Sequence, residues 1–196
     1  MTDEHPLKRH IPDEMAGMPA EWNLLVTAQE GAARDLKRFI RRQAVFRPGG
    51  FRNVFLGWHP DPLQFLRGLA DSLAAKPFAN HWLGKAVPMQ HSFPVTLATF
   101  NDDLLRHLAG VVESLRDHSF HVRVRRRGHK GEMQTQELER RLGDFLWERL
   151  EGLGARPVVS FRDPDVILAL EIVGSTAGIG LISRQLRSDF AFVKVD

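Results

Sequence analysis

Apolar and polar positions change period along this chain, and the changes mark its elements. Residues 22–28 (W-N-L-L-V-T-A) are an apolar run of strand length, which predicts a buried strand. Residues 31–44 shift to a helical period. Ala32, Leu36, Phe39 and Ile40 line one side, with Arg34, Lys37, Arg38, Arg41 and Arg42 largely on the other. Pro48-Gly49-Gly50 breaks that pattern, and residues 51–58 read as a second strand. A helix is expected over residues 61–75, with Asp61 as N-cap, Pro62 in the first position, and Phe65, Leu66, Leu69 and Leu73 as its core face. A strand at residues 83–89 closes this half. The order β-α-β-α-β predicts a small α+β layer of ferredoxin-like style.

Residues 88–94 read as a connector. Thr99 then opens a helix, with Asp102 completing a variant capping box. Leu104, Leu105, Leu108, Val111, Val112 and Leu115 form its stripe. Residues 135–153 predict a long amphipathic helix whose core face is Leu138, Leu142, Phe145, Leu146 and Leu150, with Gly152 and Gly154 as stop signals. A short strand at 158–161 and a turn at 162–165 follow. Residues 166–173 (V-I-L-A-L-E-I-V) are apolar at nearly every position, as in a central strand covered on both faces. Gly174-Ser175-Thr176 turns the chain into a returning strand at 177–183. There Gly178 and Gly180 share one face and leave bare backbone for a helix or a ligand to approach.

Between the Thr99 helix and the long helix lies the most unusual stretch, S-F-H-V-R-V-R-R-R-G-H-K-G at 119–131. Phe120, Val122 and Val124 alternate with His121, Arg123, Arg125 and Arg127, so a strand here has one apolar face and one basic face. With Arg126 and Lys130 the stretch holds five fixed positive charges and no acid. Such a ladder repels itself unless water or a polyanion takes up the charge. It runs into Gly128-His129-Lys130-Gly131 and the start of a helix, where backbone N–H groups form an anion site. Two readings follow: a solvated edge strand whose cations discourage aggregation, or a phosphate-binding surface for a nucleic acid. Arg140 and Arg141, on the exposed side of the next helix, are either partners of Glu137 and Glu139 or outer phosphate contacts. Arg184 and Arg187 could extend the patch. Trp58 and Trp82 are either core aromatics or stacking platforms.

Composition narrows the chemistry. The chain has 196 residues, enough for one domain or two small ones, and its 43% hydrophobic content excludes a disordered polymer. Net charge is only +3, but the pI is near 9.7, so basic charge is concentrated rather than pervasive. With no cysteine there is no disulfide framework, thiolate zinc site or thiol nucleophile. No apolar run approaches the ~20 residues of a membrane span, and the first residues lack the apolar core of a signal peptide. The expected location is the cytoplasm. Dinucleotide, Walker, G-x-S-x-G and zinc-deaminase signatures are missing from the sequence. His118, His121 and His129 are the only histidine grouping worth a metal hypothesis, and they read as surface or RNA-contacting. Asp163 and Asp165 flank a proline and read as turn chemistry. Residues 1–20, with mixed charge and prolines at 6, 12 and 19, read as a loose arm.

The pieces F-H-V-R-V-R-R-R-G-H-K-G, T-Q-E-L-E-R-R-L-G-D, D-P-D at 163–165 and E-I-V-G-S-T-A-G-I-G-L at 171–181 occur in an order that resembles a THUMP domain. W-N-L-L-V-T, F-P-V-T-L-A-T-F and the closing L-I-S-R-Q-L-R-S-D-F-A-F-V-K-V extend the likeness to the standalone THUMP type, which includes the tRNA-binding adaptor for cytidine acetylation. After the arm at 1–20, the resemblance implies a ferredoxin-like part at 21–94 and a THUMP α/β fold at 95–196. It implies a tRNA-binding module with a separate tRNA-modifying enzyme, an acetyltransferase among the candidates, as its partner; with the missing signatures above, no cofactor, metal or catalytic residue is expected. In larger relatives a catalytic domain is joined to this module; the end at Asp196 leaves no room for one here. The RNA-facing candidates are His121, Arg123, Arg125, Arg126, Arg127, Gly128, His129, Lys130, Gly131, Arg140, Arg141 and Arg184. The alternatives are an RNA-modifying enzyme with an unrecognised site and a protein-interaction scaffold with a basic surface.

Overall fold

The structure is a computed structural model that describes residues 21–96, 98, 100–132 and 134–195. The expected arm and the Thr99 helix start lie outside the described residues. The first unit runs β1 (Leu24–Ala28), α1 (Ala33–Ile40), β2 (Val45–Pro48), β3 (Val54–Trp58), α2 (Pro62–Ala75) and β4 (Leu83–Pro88). Its sheet has the order β2-β3-β1-β4 with every neighbouring pair antiparallel. This is the complete ferredoxin-like βαββαβ arrangement, one strand richer than the sequence predicts. The helix expected over 31–44 ends at Ile40, and the chain turns and re-enters the sheet as β2. Asp61 caps α2 as expected, accepting the N–H groups of Leu63 and Gln64 at 2.9 and 3.0 Å.

The second unit contains β5 (His91–Pro94), α3 (Phe100–Ala109), β6 (Ser119–Arg127), α4 (Thr135–Gly152), β7 (Val158–Val159), β8 (Val166–Val173), β9 (Thr176–Ser183) and α5 (Arg184–Asp189). Its sheet has the order β5-β9-β8-β6-β7, with β6 parallel to both β7 and β8 and the other pairs antiparallel. The expected connector at 88–94 is corrected here: β5 is an edge strand of the second sheet, paired with β9 from His91↔Ile179 to Pro94↔Thr176. The change of sheet therefore falls just after Pro88, ahead of the expected boundary at 94. The Thr99 stripe also divides, because α3 stops at Ala109 and a separate 3-10 turn carries Val112 and Leu115.

Two cores result. One lies between α3, α4 and the β6, β8 and β9 face that carries Phe120, Val122, Val124, Leu168, Leu170 and Ile179. The other joins the first sheet and its helices to Ala169, Val173 and Ile182 on the opposite face of the second sheet, and to Phe190 and Val193 beyond α5. The bare backbone at Gly178 and Gly180 is occupied by the first unit. The Trp22 ring lies over Gly178, and the Pro88 carbonyl stands 2.6 Å from where a Cβ of Gly180 would be. Trp82 meets Phe39 and Phe78 edge to face, so it serves as packing.

Candidate nucleic-acid interface

Alternation holds along β6, but the basic face is not an open solvent face. Only its C-terminal end looks toward the first unit; His121 and Arg123 lie near Phe161 and α4. At the C-terminal end of β6, Arg125 and Arg127 line a groove of about 350 Å³ with Thr27 and Ala28 of β1, Arg52 and Asn53 before β3, and Gly84 and Lys85 of β4. Cations from distant parts of the chain thus converge on one cleft between the two sheets.

Part of this charge is already neutralised. Glu171, 1% exposed on β8, receives the Lys85 ammonium at 2.7 Å on Oε1 and the Arg127 guanidinium at 2.6 Å on Oε2. Glu171 lies opposite Arg125 in the β6–β8 register, an acid set against the C-terminal half of the ladder. Burying one carboxylate between two cations leaves net positive charge at the cleft floor. It also fixes where the two sheets meet. Arg52, at the cleft rim, makes an exposed 3.2 Å pair with Glu30, of the kind that contributes little to stability and exchanges easily.

The other expected contacts divide. His121 is buried, and burial together with the neighbouring Arg123 guanidinium pushes its imidazole below the ordinary value. That shift favours the neutral ring, and the expected RNA contact at this position lies on a buried side chain. Arg123 approaches Glu139 of α4 at 3.8 Å. Arg126 turns back to donate to the Gly128 carbonyl at 2.6 Å. Arg140 pairs with Asp144 along α4 at 3.1 Å, the local partner its helical spacing allows. Arg141 is exposed beside Glu132, Gln134 and Glu137. Arg184 is drawn into another cluster, 3.0 Å from Asp163 and 2.7 Å from Asp165. Arg187 donates to the carbonyls of Ile182 and Pro164. Asp165 in turn accepts the Ser119 N–H and hydroxyl at 2.8 and 2.6 Å, bonds that hold its carboxyl below the usual range. The D-P-D turn is thus a clasp on the start of β6.

The Gly128–Gly131 turn is shaped by left-handed backbone at Gly128 (φ 97°), His129 (φ 52°) and Gly131 (φ 90°). His129 bonds Glu132 at 2.9 Å and the Gly174 carbonyl at 2.9 Å, tying this turn to the β8–β9 hairpin. Phe51, from the β2–β3 turn, lies against both Gly128 and Gly174, 3.3 and 3.5 Å from where their Cβ atoms would stand. Lys130 and Gly131 are exposed at the turn's tip, and α4 begins with no side-chain cap. Sequence reasoning missed Arg52 and Lys85. The signal for Lys85 was a lone charge in the apolar strand L-G-K-A-V-P, matched by the lone Glu171 in V-I-L-A-L-E-I-V. Among the described residues no cluster has the make-up of a metal site, and no helix is long and apolar enough to cross a membrane.

Within this arrangement of a ferredoxin-like unit packed on a mixed sheet, residues 106–182 match the THUMP domain family. The fold is shared with PH1313 of Pyrococcus horikoshii (TM-score 0.56, 12% identity, 81% of this chain and 53% of that one). It is shared too with TrmN of Thermus thermophilus (TM-score 0.54, 20% identity, 82% and 45%). A third similar structure is a 4-thiouridine synthetase solved as an RNA complex with bound ATP (TM-score 0.51, 15% identity, 82% and 41%). The chain spans about half the length of these proteins or less. A search of curated proteins finds no match.

Proposed function

We propose that this chain is a noncatalytic tRNA-binding protein that presents tRNA to a separate RNA-modifying enzyme in the cytoplasm. The carrying observation is the cleft in which Arg52, Lys85, Arg125 and Arg127 converge from both units. The THUMP domain at 106–182 supports the reading, as does the solution of a protein of similar fold in complex with RNA. Arg125 and Arg52 line the cleft as phosphate contacts, while Lys85 and Arg127 set its potential from Glu171. The Gly128–Gly131 turn, with Lys130 and the uncapped start of α4, offers backbone N–H groups to a further phosphate. Recognition is by phosphate, ribose and helical shape rather than by a base code. A cytidine acetyltransferase is the enzyme partner that the resemblance to the adaptor type favours.

The test is fluorescence anisotropy with an unmodified tRNA transcript across a salt series. Affinity should fall steeply with salt as condensed counterions are released. Combining Arg52→Glu with Arg125→Glu should weaken binding by about tenfold or more and flatten the salt slope, with circular dichroism unchanged. A wild-type chain that ignores tRNA at low salt removes the proposal. Nucleoside mass changes produced by the chain alone with common donors remove its noncatalytic part.

A further inference from the structure

The N-terminal half of β6 borders a different surface. β7 pairs with β6 only at Ser119 and Phe120, and the Ser160 N–H closes on the Phe120 carbonyl before the chain departs. Beyond that point the outer edge of β6 has no strand beside it among the described residues. A groove of about 540 Å³ runs along this edge, floored by Phe120, His121 and Val122 and walled by α4 and the β7 segment. Three large exposed apolar side chains line it: Trp147, Val159 and Phe161. Phe161 is 77% exposed, and its ring stands edge-on to His121 at 5.0 Å.

The edge keeps unused hydrogen-bonding capacity. His121 Nε2 and Arg123 Nε are buried without a partner among the described residues. The Val124 N–H, which would continue a ladder, is held at 2.8 Å by the Glu139 side chain. The wall opposite carries Glu139, Asp144 and Glu148; Asp144 pairs with Arg140 and Glu139 approaches Arg123 at 3.8 Å, so acid exceeds base by one charge among these residues. On a chain of net charge +3 this locally acidic, aromatic groove contrasts with the basic cleft at the other end of the same strand.

We infer that this groove is a docking site for an extended segment of a partner protein in which apolar residues alternate with lysine or arginine. The segment adds as a strand beside Val122 and Val124, displaces Glu139 from the Val124 N–H, and meets the released carboxylate with its own cation. Its apolar side chains fill the space between Trp147 and Phe161. Edge addition supplies backbone bonds of general affinity, and the aromatic pocket and acidic wall supply the choice of sequence. The inference goes beyond RNA binding and does not depend on it.

The experiment uses the full chain and a labelled heptapeptide, Lys-Val-Lys-Phe-Lys-Val-Lys, blocked at both ends. Two controls accompany it: the peptide with glutamate for lysine, and the peptide with proline for the central phenylalanine, which lacks the backbone donor. The basic peptide should bind, and both controls should bind about tenfold more weakly or worse. Trp147→Ala and Phe161→Ala, changes at exposed positions, should each weaken the basic peptide about tenfold while leaving tRNA affinity and melting temperature unchanged. Equal binding of all three peptides, or indifference to both substitutions, overturns the inference. Loss of tRNA affinity in Phe161→Ala would give the groove to RNA, and loss of self-association in sedimentation would give it to a second copy; either overturns it. A wild-type chain that binds the basic peptide but not tRNA sinks the proposed function and leaves this inference standing.

Discussion

Glu171 and His129 hold the candidate interface in opposite ways. Glu171 is buried and carries two cations. Removing its charge leaves a buried ammonium and a half-buried guanidinium uncompensated. Glu171→Gln should therefore cost about 3–5 kcal/mol in urea denaturation. Replacing the triad together, with Lys85→Met, Glu171→Leu and Arg127→Met, should recover most of that loss, because desolvated charge then disappears from both sides. His129 works by titration. Its bond to Glu132, and then its bond to the Gly174 carbonyl, raise its pKa above the ordinary histidine value. A raised folded value stabilises the turn fully below the ordinary value, and that contribution is lost as pH climbs through the raised one. Hydrogen exchange of the 128–131 amides should accelerate across that window. In His129→Asn, which keeps a residue tolerant of the left-handed backbone, the same amides should show no step there.

Among the elements, β9 shows how the two units fit. The Gly180 position lies under the Pro88 carbonyl, and neither backbone can give way. Gly180→Ala should lower stability by about 1–3 kcal/mol, read as a fall in melting temperature. Elements with strong internal periodicity were legible from sequence: α2 with its Asp61 cap, α4 with its leucine stripe, and β8 with its unbroken apolar run. The strands that escaped, β2 and β5, lie at sheet edges, end in proline and are partly exposed, so neither alternation nor apolar density marks them. Their identity comes from partners far away, as in His91↔Ile179. The alternation of β6 was legible too. Which face met water was not, because that depends on a first sheet built from residues at least thirty positions upstream.

At the scale of the whole molecule, the candidate site is a property of the junction. Arg125 and Arg127 could be read from one stretch, but Arg52 and Lys85 join them only because Lys85 reaches Glu171 across the two sheets. Arg184, expected beside them, is instead pinned by Asp163 and Asp165 near the opposite end of β6, a pairing that sequence spacing does not reveal. The chain also returns to its beginning: Phe190 and Val193 pack in the first core, and the Phe192 carbonyl accepts the Ala86 N–H at 3.0 Å.

The Phe51 ring resting across Gly128 and Gly174 gives this junction a mechanical property. A hairpin tip from one half of the molecule acts as a thumb on the lysine-bearing turn of the other. A tilt between the halves that shifts this ring also changes the packing at Gly128 and Gly174, so the seating of the first unit and the packing of that turn are linked.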